Sequence, residues 1–303
     1  MAAQLRAVRA RIRAVKSIAK ITRAQELIAS SRIVRAQQRT RAAEPYAREL
    51  TTAVEAVVSR STTITHPMIT EPATVQRSAA FIITSDGGFC GAYNANVLRE
   101  ATRLRERNRE NGVATVNYVT GRKGIGWHRF RDLAVEQEWS GFSAQPTYAQ
   151  AEEIATVLLD AFEKDTADGG IDEIYLVSTE FISMLTQRPA VRRLLPLQIE
   201  EREGERPGGA LPSYEFEPST DVVLDALLPQ YIASRIYYAM LEAAASELAS
   251  RRRAMKAATD NANDLLDRLT REANNARQAE ITQEISEIVG GSNALAEANA
   301  GSE

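Results

Sequence analysis

The sequence predicts an α/β fold plus a coiled coil, in which the two ends of the chain pair as a long antiparallel two-helix coiled coil around an inserted α/β domain. Residues 1–44 and 230–289 contain neither Gly nor Pro, whereas the segment between them is rich in Gly, Pro and short β-branched runs. At ~1.5 Å per residue, such ends form helices of about 65 and 90 Å. Because burial of an apolar stripe supplies most of a helix's stability, we expect the two helices to pair with each other.

The first predicted element is an N-terminal coiled-coil helix over residues 1–60. Its apolar residues follow the 3-4-3 spacing of a coiled-coil seam and are Leu5, Val8, Ile12 and Val15, continued with a drift in phase by Ile18, Ile21 and Ile28. Pro45 interrupts or bends this helix, which we expect to continue through Val58. A linker rich in Thr and Pro follows over residues 62–74.

The inserted α/β domain is predicted over residues 75–200, with a mostly parallel sheet. Short apolar, β-branched runs predict strands at 79–84, 115–120 and 173–178. The helices predicted between them are one capped by Asn94 or Asn96 and ending near Asn111, a short one opening at 121–126, and one over 147–164. Strand–helix alternation at this spacing favours parallel strands with helices on the sheet faces.

The C-terminal coiled-coil helix is predicted over residues 220–297. It begins near Asp221, so that Pro229 falls in its first turns, where proline is tolerated. Its inner face is mostly small, with Ala239, Ala243, Ala258, Ala262, Ala273 and Ala276. We expect the tail after Gly290-Gly291 to fray.

Charge is distributed unevenly along the chain. Residues 1–60 carry thirteen Arg or Lys and four Glu, a balance of +9 within a net charge of −3 for the whole chain. The chain has a single cysteine, Cys90, which excludes an intramolecular disulfide. It contains no run of ~18 apolar residues, so no membrane span is predicted. The basic N-terminus also resembles a transit peptide, but its pattern continues without a break, so we interpret it as mature structure.

The turn SDGGFCGAYN at 85–94 is the only segment that suggests chemistry. Glycine-rich turns between a strand and a helix can hold phosphate, but neither a P-loop Lys-Ser/Thr pair nor GxGxxG spacing is present. Tight strand-to-helix geometry is the favoured interpretation, with Cys90 as a small buried thiol. His66 and His128 have no spaced Cys or His partner, so no metal, catalytic or cofactor site is predicted.

Two surfaces favour contacts with other molecules. The basic residues of the first helix include Arg9, Arg13, Lys16, Lys20 and Arg23, and Arg251 lies on the other helix. Such a surface suits phosphates or an acidic protein. The second surface is a polar cluster on the last helix, formed by Arg277, Gln278, Thr282 and Glu284, where a coiled coil should instead bury apolar residues.

At these residues the sequence resembles the gamma subunits of F-type rotary ATP synthases, of bacterial type. The resembling blocks cover most of the chain in the family's order: KITRAQELIASSRIVRAQ (20–37), TSDGGFCGAYN (84–94), YEFEPS (214–219), LDALLP (224–229), AMKAATDNANDLL (254–266) and ARQAEITQEISEIVGG (276–291). The first departure is Gln25, where the family usually has Met. The second is the loop DTADGGID (165–172), which is longer than usual.

The resemblance implies a non-catalytic central rotor shaft with a Rossmann-like α/β domain. Its coiled coil turns inside a ring of alpha and beta subunits and couples ion-driven rotation to the beta catalytic sites. Its α/β domain meets the epsilon subunit and the membrane rotor ring at the cytoplasmic face of the bacterial cell membrane. The residues expected to contact subunits are Arg9, Arg13, Lys16, Lys20, Arg23, Gln25, Arg251, Arg277, Gln278, Thr282 and Glu284.

Two other functions are compatible with the pattern of residues. One is an enzyme whose α/β domain carries a coiled-coil arm, which requires a pocket of convergent titratable groups. The other is a basic coiled-coil nucleic-acid binder, although the basic strip lacks aromatic residues for stacking and belongs to no recognisable module.

Overall fold

The computed structural model describes residues 2–58, 66–197 and 220–300. The block YEFEPS, the stretch 198–219 and residues 59–65 lie outside the described residues, and so do the ends of two predicted domains at 59–60 and 198–200. The chain divides into two compact units, one formed by Met1–Ile28 with Arg253–Glu303 and the other by Ala29–Arg252.

Helix α1 (Ala2–Val58) continues to Val58, as the sequence predicts, and Pro45 lies inside it without interrupting it. Its buried and half-buried seam keeps strict 3-4 spacing over the whole paired length: Leu5, Val8, Ile12, Val15, Ala19, Thr22, Glu26, Ala29, Ile33 and Ala36. The prediction that Ile18, Ile21 and Ile28 continue the seam is wrong, because their side chains are exposed. The seam does not drift. It stays in register and changes from apolar to small and polar residues.

Helix α5 (Thr220–Ala300) supplies the second half of the pairing. Its seam has the same spacing, from Met255 through Thr259, Ala262, Leu266 and Leu269 to Ala273 and Ala276. In the first unit, the hydroxyls of Thr22 and Thr259 hydrogen-bond at 2.7 Å, which fixes the antiparallel alignment of the two helices.

Helix α5 continues through Gly290-Gly291 to Ala300, past the predicted bound of 297, so there is no break where the tail was expected to fray. Neither glycine adopts the left-handed conformation that ends helices. A helical glycine costs only ~1 kcal/mol relative to alanine. The Ala- and Glu-containing stretch that follows consists largely of good helix formers, so the helix propagates through both glycines.

The second unit contains a five-stranded sheet in the order β3-β2-β1-β4-β5. The strands are β1 (Arg77–Ile83), β2 (Ala114–Thr120), β3 (Gln137–Trp139), β4 (Glu173–Phe181) and β5 (Gln187–Leu195). Pairs β1–β2, β1–β4 and β2–β3 are parallel, and β4–β5 is antiparallel. The predicted mostly parallel sheet is therefore present, with two edge strands that the sequence analysis did not identify.

Helices cover both faces of the sheet. Helices α2 (Tyr93–Glu110) and α3 (Arg122–Phe130) pack on one face around Ile82 and Val119. Helix α4 (Tyr148–Glu163), the end of α1 and the start of α5 cover the other face around Phe81 and Leu158. A short 3-10 turn, Thr166–Asp168, precedes β4.

The expected cap of α2 is absent, because the residue preceding this helix is Ala92, with no side-chain cap. Asn94 lies inside the first turn, and its Oδ1 accepts a hydrogen bond from the backbone N–H of Ser85, 2.9 Å away. The Asn94 side chain therefore stabilises the loop that precedes the helix.

The position of the seam makes a prediction about two isoleucines of α1. Ile33 is 1% exposed and packs with Leu248 and Phe181, whereas Ile18 is 52% exposed. Ile33→Ala should lower the free energy of unfolding by about 2–5 kcal/mol, because it removes buried methyl groups and leaves a cavity. Ile18→Ala is the matched control and should change it by less than about 0.5 kcal/mol. Urea unfolding followed by circular dichroism measures both, and equal losses would contradict this seam.

Candidate functional site

Four exposed cations form a row on the first part of α1. Arg9, Arg13, Lys16 and Lys20 are spaced by 4, 3 and 4 residues, which places them along one flank of the seam. Arg23 continues the row, but its Nη1 pairs with Glu26 Oε2 at 2.8 Å. We call Arg9, Arg13, Lys16 and Lys20 the basic row.

The other flank of α1 is apolar. Ile18, Ile21 and Ile28 are 52%, 58% and 51% exposed, and the half-buried Gln25 lies between the last two. These four residues again follow 3-4-3 spacing and form one continuous strip, the isoleucine flank. An exposed apolar strip between charged residues is typical of a surface that another protein covers.

The polar cluster lies where α5 extends beyond the start of its partner helix, α1. Thr22 lies opposite Thr259 in the antiparallel pair. Helix α1 begins at Ala2, twenty residues before Thr22. Its start therefore lies opposite about Ala279, twenty residues after Thr259. Every described side chain from Ile281 to Ser292 is exposed. This part of α5 has no helix beside it within the described chain.

An apolar strip runs along this unaccompanied stretch and consists of Ile281, Ile285, Ile288 and Val289, each 47–72% exposed. By helical spacing, the polar residues flank it, with Gln278 and Thr282 on one side and Arg277 and Glu284 on the other. The Thr282 hydroxyl donates to the Gln278 carbonyl at 2.9 Å. The structure thus brings the four predicted residues together around one apolar strip, which we call the tip surface.

The loop after β1 is built as a tight strand-to-helix connection. Its Asp86 carboxylate accepts backbone N–H bonds from Arg122, Gly141 and Ser143 at 2.9–3.1 Å. Burial opposes ionisation of Asp86, but these hydrogen bonds outweigh it and lower the pKa of the carboxyl group. Cys90 is 3% exposed, which confirms the small buried thiol.

Arg251 contacts this loop from α5. Its Nε and Nη2 both donate to the Gly88 carbonyl at 3.2 Å, and Nη2 pairs with Glu247 Oε1 at 2.7 Å. The Arg251 side chain is only 17% exposed, and that of Glu247 only 2%. Unlike the basic row, this predicted contact residue has its guanidinium bound within its own chain.

Comparison with known proteins identifies the family. A family model described as ATP synthase matches residues 4–295. A chain from Acidothermus cellulolyticus, described as an ATP synthase gamma chain, is 58% identical over 97% of this chain and 98% of its own length. A gamma chain from Thermobifida fusca is 55% identical over the whole of both chains. The chain belongs to the ATP synthase gamma-chain family.

Solved structures share the fold of this gamma-chain family member. A structure of the Euglena gracilis mitochondrial ATP synthase, described as OSCP/F1/c-ring, contains a chain with a TM-score of 0.65 at 16% identity, covering 97% of this chain and 95% of that one. A central stalk/c-ring structure from Tetrahymena thermophila matches with a TM-score of 0.56 at 24% identity, covering 78% and 99%. The predicted α/β plus coiled-coil fold is thereby confirmed.

The two histidines have partners in their own chain. His66 Nε2 lies 3.1 Å from Asp225 Oδ1, and His128 Nδ1 lies 2.9 Å from the Gly124 carbonyl. Over residues 2–58, 66–197 and 220–300, no cluster of three or more His, Cys, Asp or Glu side chains is arranged to hold a metal ion. Over the same ranges, no helix is both long and apolar enough to cross a bilayer.

Sequence reasoning missed the buried carboxylate Glu247. It lies on a helix face crowded with alanines, four residues before Arg251, a spacing that suits an ion pair. An acidic residue among Ala243, Ala244, Ala245 and Ala249 was the available signal, because a carboxylate is almost never fully buried unless it is paired.

The Asp86 carboxylate gives a prediction about stability and pH. Asp86→Asn replaces an acceptor of three backbone N–H groups with an amide that offers one oxygen, and should cost about 1–3 kcal/mol of stability. Because the pKa of Asp86 is lowered in the folded chain, its contribution is complete above the unfolded pKa of ~3.9 and is lost as pH falls through the folded value.

The measurement is urea unfolding of both proteins at pH 7 and at several values below pH 4. The difference between wild type and Asp86→Asn should shrink as the wild-type carboxylate becomes protonated. Asp132→Asn, an exposed carboxylate on the turn after α3, is the control. A difference that stays constant down to pH 2 would contradict the assigned role.

Proposed function

We propose that this chain is the central rotor shaft of an F-type ATP synthase, turning with the membrane ring and driving the beta catalytic sites through their conformational cycle. Membership of the gamma-chain family over residues 4–295 is the main support. The structural observation that carries the proposal is the tip surface, a single helix whose apolar strip is exposed where the pairing with α1 has ended. The chain itself has no catalytic role in this function.

The tip surface fits a surrounding sleeve of alpha and beta subunits. A single helix carrying four large exposed apolar side chains gains stability when another surface covers them. Arg277, Gln278, Thr282 and Glu284 beside the strip then need hydrogen-bond partners, because an unmatched buried polar group costs about 1–3 kcal/mol. Partners that exist only at certain rotational angles would link the angle of the shaft to the state of a beta site.

The two flanks of α1 suit different contacts of the same ring. The basic row fits acidic loops of the beta subunits, and Arg23 extends it while sharing its charge with Glu26. The isoleucine flank, with Gln25 at its centre, fits an apolar part of the ring. Arg251 takes part less directly, because its guanidinium is bound to Gly88 and Glu247.

The three predicted segments divide this work. Residues 1–60 and 220–297 are proposed as the shaft, and residues 75–200 as the part that meets the epsilon subunit and the membrane rotor ring. Phe130 and Ile182 are exposed apolar side chains that suit such contacts. We place the assembled protein at the cytoplasmic face of the bacterial cell membrane, as a peripheral subunit.

The tip surface is tested by replacing its polar groups with apolar ones of similar size. Gln278→Leu or Thr282→Val should leave unfolding of the free subunit within about 0.5 kcal/mol, because both side chains are exposed there. In the complex reconstituted with alpha and beta subunits, loss of one hydrogen bond of ~1 kcal/mol should slow ATP hydrolysis about fivefold. Thr270→Val, an exposed threonine at the same kind of helical position, is the control.

Two assays decide the outcome for the tip surface. These are thermal unfolding of the free subunit and turnover per assembled complex. Lost stability with normal turnover would give the cluster a structural role only and would remove the proposed link to the beta sites.

The basic row is predicted to act as a distributed charge. Each exposed ion pair is worth about 0.2–1 kcal/mol, so single Ala changes should alter assembly only slightly. Replacing Arg9, Arg13, Lys16 and Lys20 together should lower coupling or assembly clearly, and raised salt should imitate this effect. Co-purification with alpha and beta subunits and ATP-driven ion pumping measure the result. Abolished assembly in Arg9→Ala alone would contradict a distributed contact.

A further inference from the structure

The carboxyl ends of β1 and β4 mark the point where ligands bind in many open α/β sheets. From the central strand β1, the order of this sheet runs outward through β2 on one side and through β4 on the other. Such a switch in direction leaves a crevice beside the loop that follows β1. In this chain, side chains of α5 reach the crevice from both sides of it.

Ser246 and Arg251 are the two residues of α5 that make these contacts. The Ser246 hydroxyl donates to the Thr179 carbonyl, near the end of β4, at 3.4 Å. Arg251 donates two hydrogen bonds to the Gly88 carbonyl in the loop after β1. A stretch of α5 thus lies where a ligand would lie in a nucleotide-binding relative of this architecture.

The loop is shaped to receive the guanidinium. A Cβ atom on Gly87 would lie 3.0 Å from Arg251 Nη2, closer than nine in ten real Cβ contacts, so glycine leaves room for the arginine. The backbone turns sharply at the next residues, where Phe89 has φ 59° and Gly91 has φ 58°. The left-handed backbone of Phe89 is strained because this residue is not glycine, and such strain persists only where surrounding contacts hold it.

Glu247 completes the arrangement from the same helix. Its carboxylate pairs with Arg251 at 2.7 Å, and the Ser143 side chain lowers the pKa of the Glu247 carboxyl. Ser143 in turn accepts the backbone N–H of Asp86 at 2.9 Å. Burial raises the pKa of the Glu247 carboxyl, and Arg251 opposes that rise. One chain of polar contacts therefore connects α5 to both loops at this end of the sheet.

We infer that Arg251 and Glu247 form a latch that fixes the loop after β1 to helix α5 and so transmits rotation between the sheet and the shaft. The transmission rests on the proposed function, whereas the latch itself rests on the contacts alone. Apolar packing also holds α5 against the sheet, but it is non-directional and tolerates sliding. Charge-assisted hydrogen bonds fix direction and distance, and this property makes Arg251 a positioning residue.

Cys90 provides a direct readout of the latch. It is the only cysteine in the sequence, lies two residues beyond Gly88 and is 3% exposed. Its thiol reacts with iodoacetamide only when the loop opens, so the rate of labelling of the free subunit measures local opening. Opening of the loop alone exposes little surface and depends weakly on urea, whereas global unfolding depends on it strongly.

Four variants separate the latch from general stability. Arg251→Met removes the tether but leaves Glu247 buried and unpaired. Arg251→Lys keeps the charge but cannot supply the paired Nε and Nη2 donors. The double variant Glu247→Gln with Arg251→Met removes both charges and should recover much of the stability. Lys256→Met is the control, because Lys256 is exposed and pairs only with Asp260 among the contacts described for it.

We expect labelling of Cys90 to be at least about tenfold faster in Arg251→Met and in the double variant, with weak dependence on urea, and to be unchanged in Lys256→Met. Arg251→Lys should lie between them. The latch is overturned if the double variant labels at the wild-type rate, or if labelling rises only in step with global unfolding.

The transmission is tested in the complex with alpha, beta and the membrane ring. Ions pumped per ATP hydrolysed should fall at least about twofold in the double variant relative to wild type and Lys256→Met. Fast Cys90 labelling with unchanged pumping per ATP would overturn the transmission and keep the latch. Failure of the wild-type chain to support pumping would instead overturn the proposed function, so the two failures are distinguishable.

Discussion

The interaction on which the rest of the structure depends is the pairing of the first and last helices through a seam with unbroken 3-4 spacing. Small and polar seam residues such as Ala19 and Thr22 let the helices approach closely, while the larger Leu5 and Ile33 bury apolar area. Because the seam occupies only one face of α1, the two flanks of this helix stay exposed to other subunits, one as the basic row and the other as the isoleucine flank. The same pairing leaves the end of α5 unaccompanied, so the seam also determines where the tip surface begins.

The α/β unit shows how a common architecture can serve a mechanical role. The crevice beside β1, a frequent ligand site in open sheets, is approached here by Glu247 and Arg251 of the chain's own helix. Gly87, part of a turn that could have suggested a phosphate-binding loop, instead makes room for a guanidinium. Fold therefore does not decide function, and the contacts at the site explain why this loop has glycine at that position.

Much of this architecture could be predicted from the sequence, because its signals are local and strong. Long stretches without Gly or Pro predicted α1 and α5, and apolar runs predicted β1, β2 and β4. Strands β3 and β5 were missed, since one has three residues and the other contains Pro189 and three arginines. The isoleucines of α1 were placed in the seam because they are the most apolar residues available, whereas position in the heptad decides burial.

The candidate site was predictable only in part. The basic row and the tip surface were predictable because they follow from the spacing of residues along a helix, which can be read from the sequence. The Arg251–Gly88 contact joins residues 163 positions apart, and no spacing rule reveals it. The same limit applies to the three backbone groups that hold Asp86, because they come from two different turns.

Rotation of a single assembled complex is the most direct test of the proposed role as a rotor shaft. A bead can be attached through Phe130→Cys, whose position is 84% exposed, while the native Cys90 is 3% exposed and escapes labelling. With alpha and beta subunits immobilised and ATP supplied, we expect the bead to rotate stepwise in one direction. A complex that hydrolyses ATP while the attached bead only diffuses about a fixed angle would contradict it.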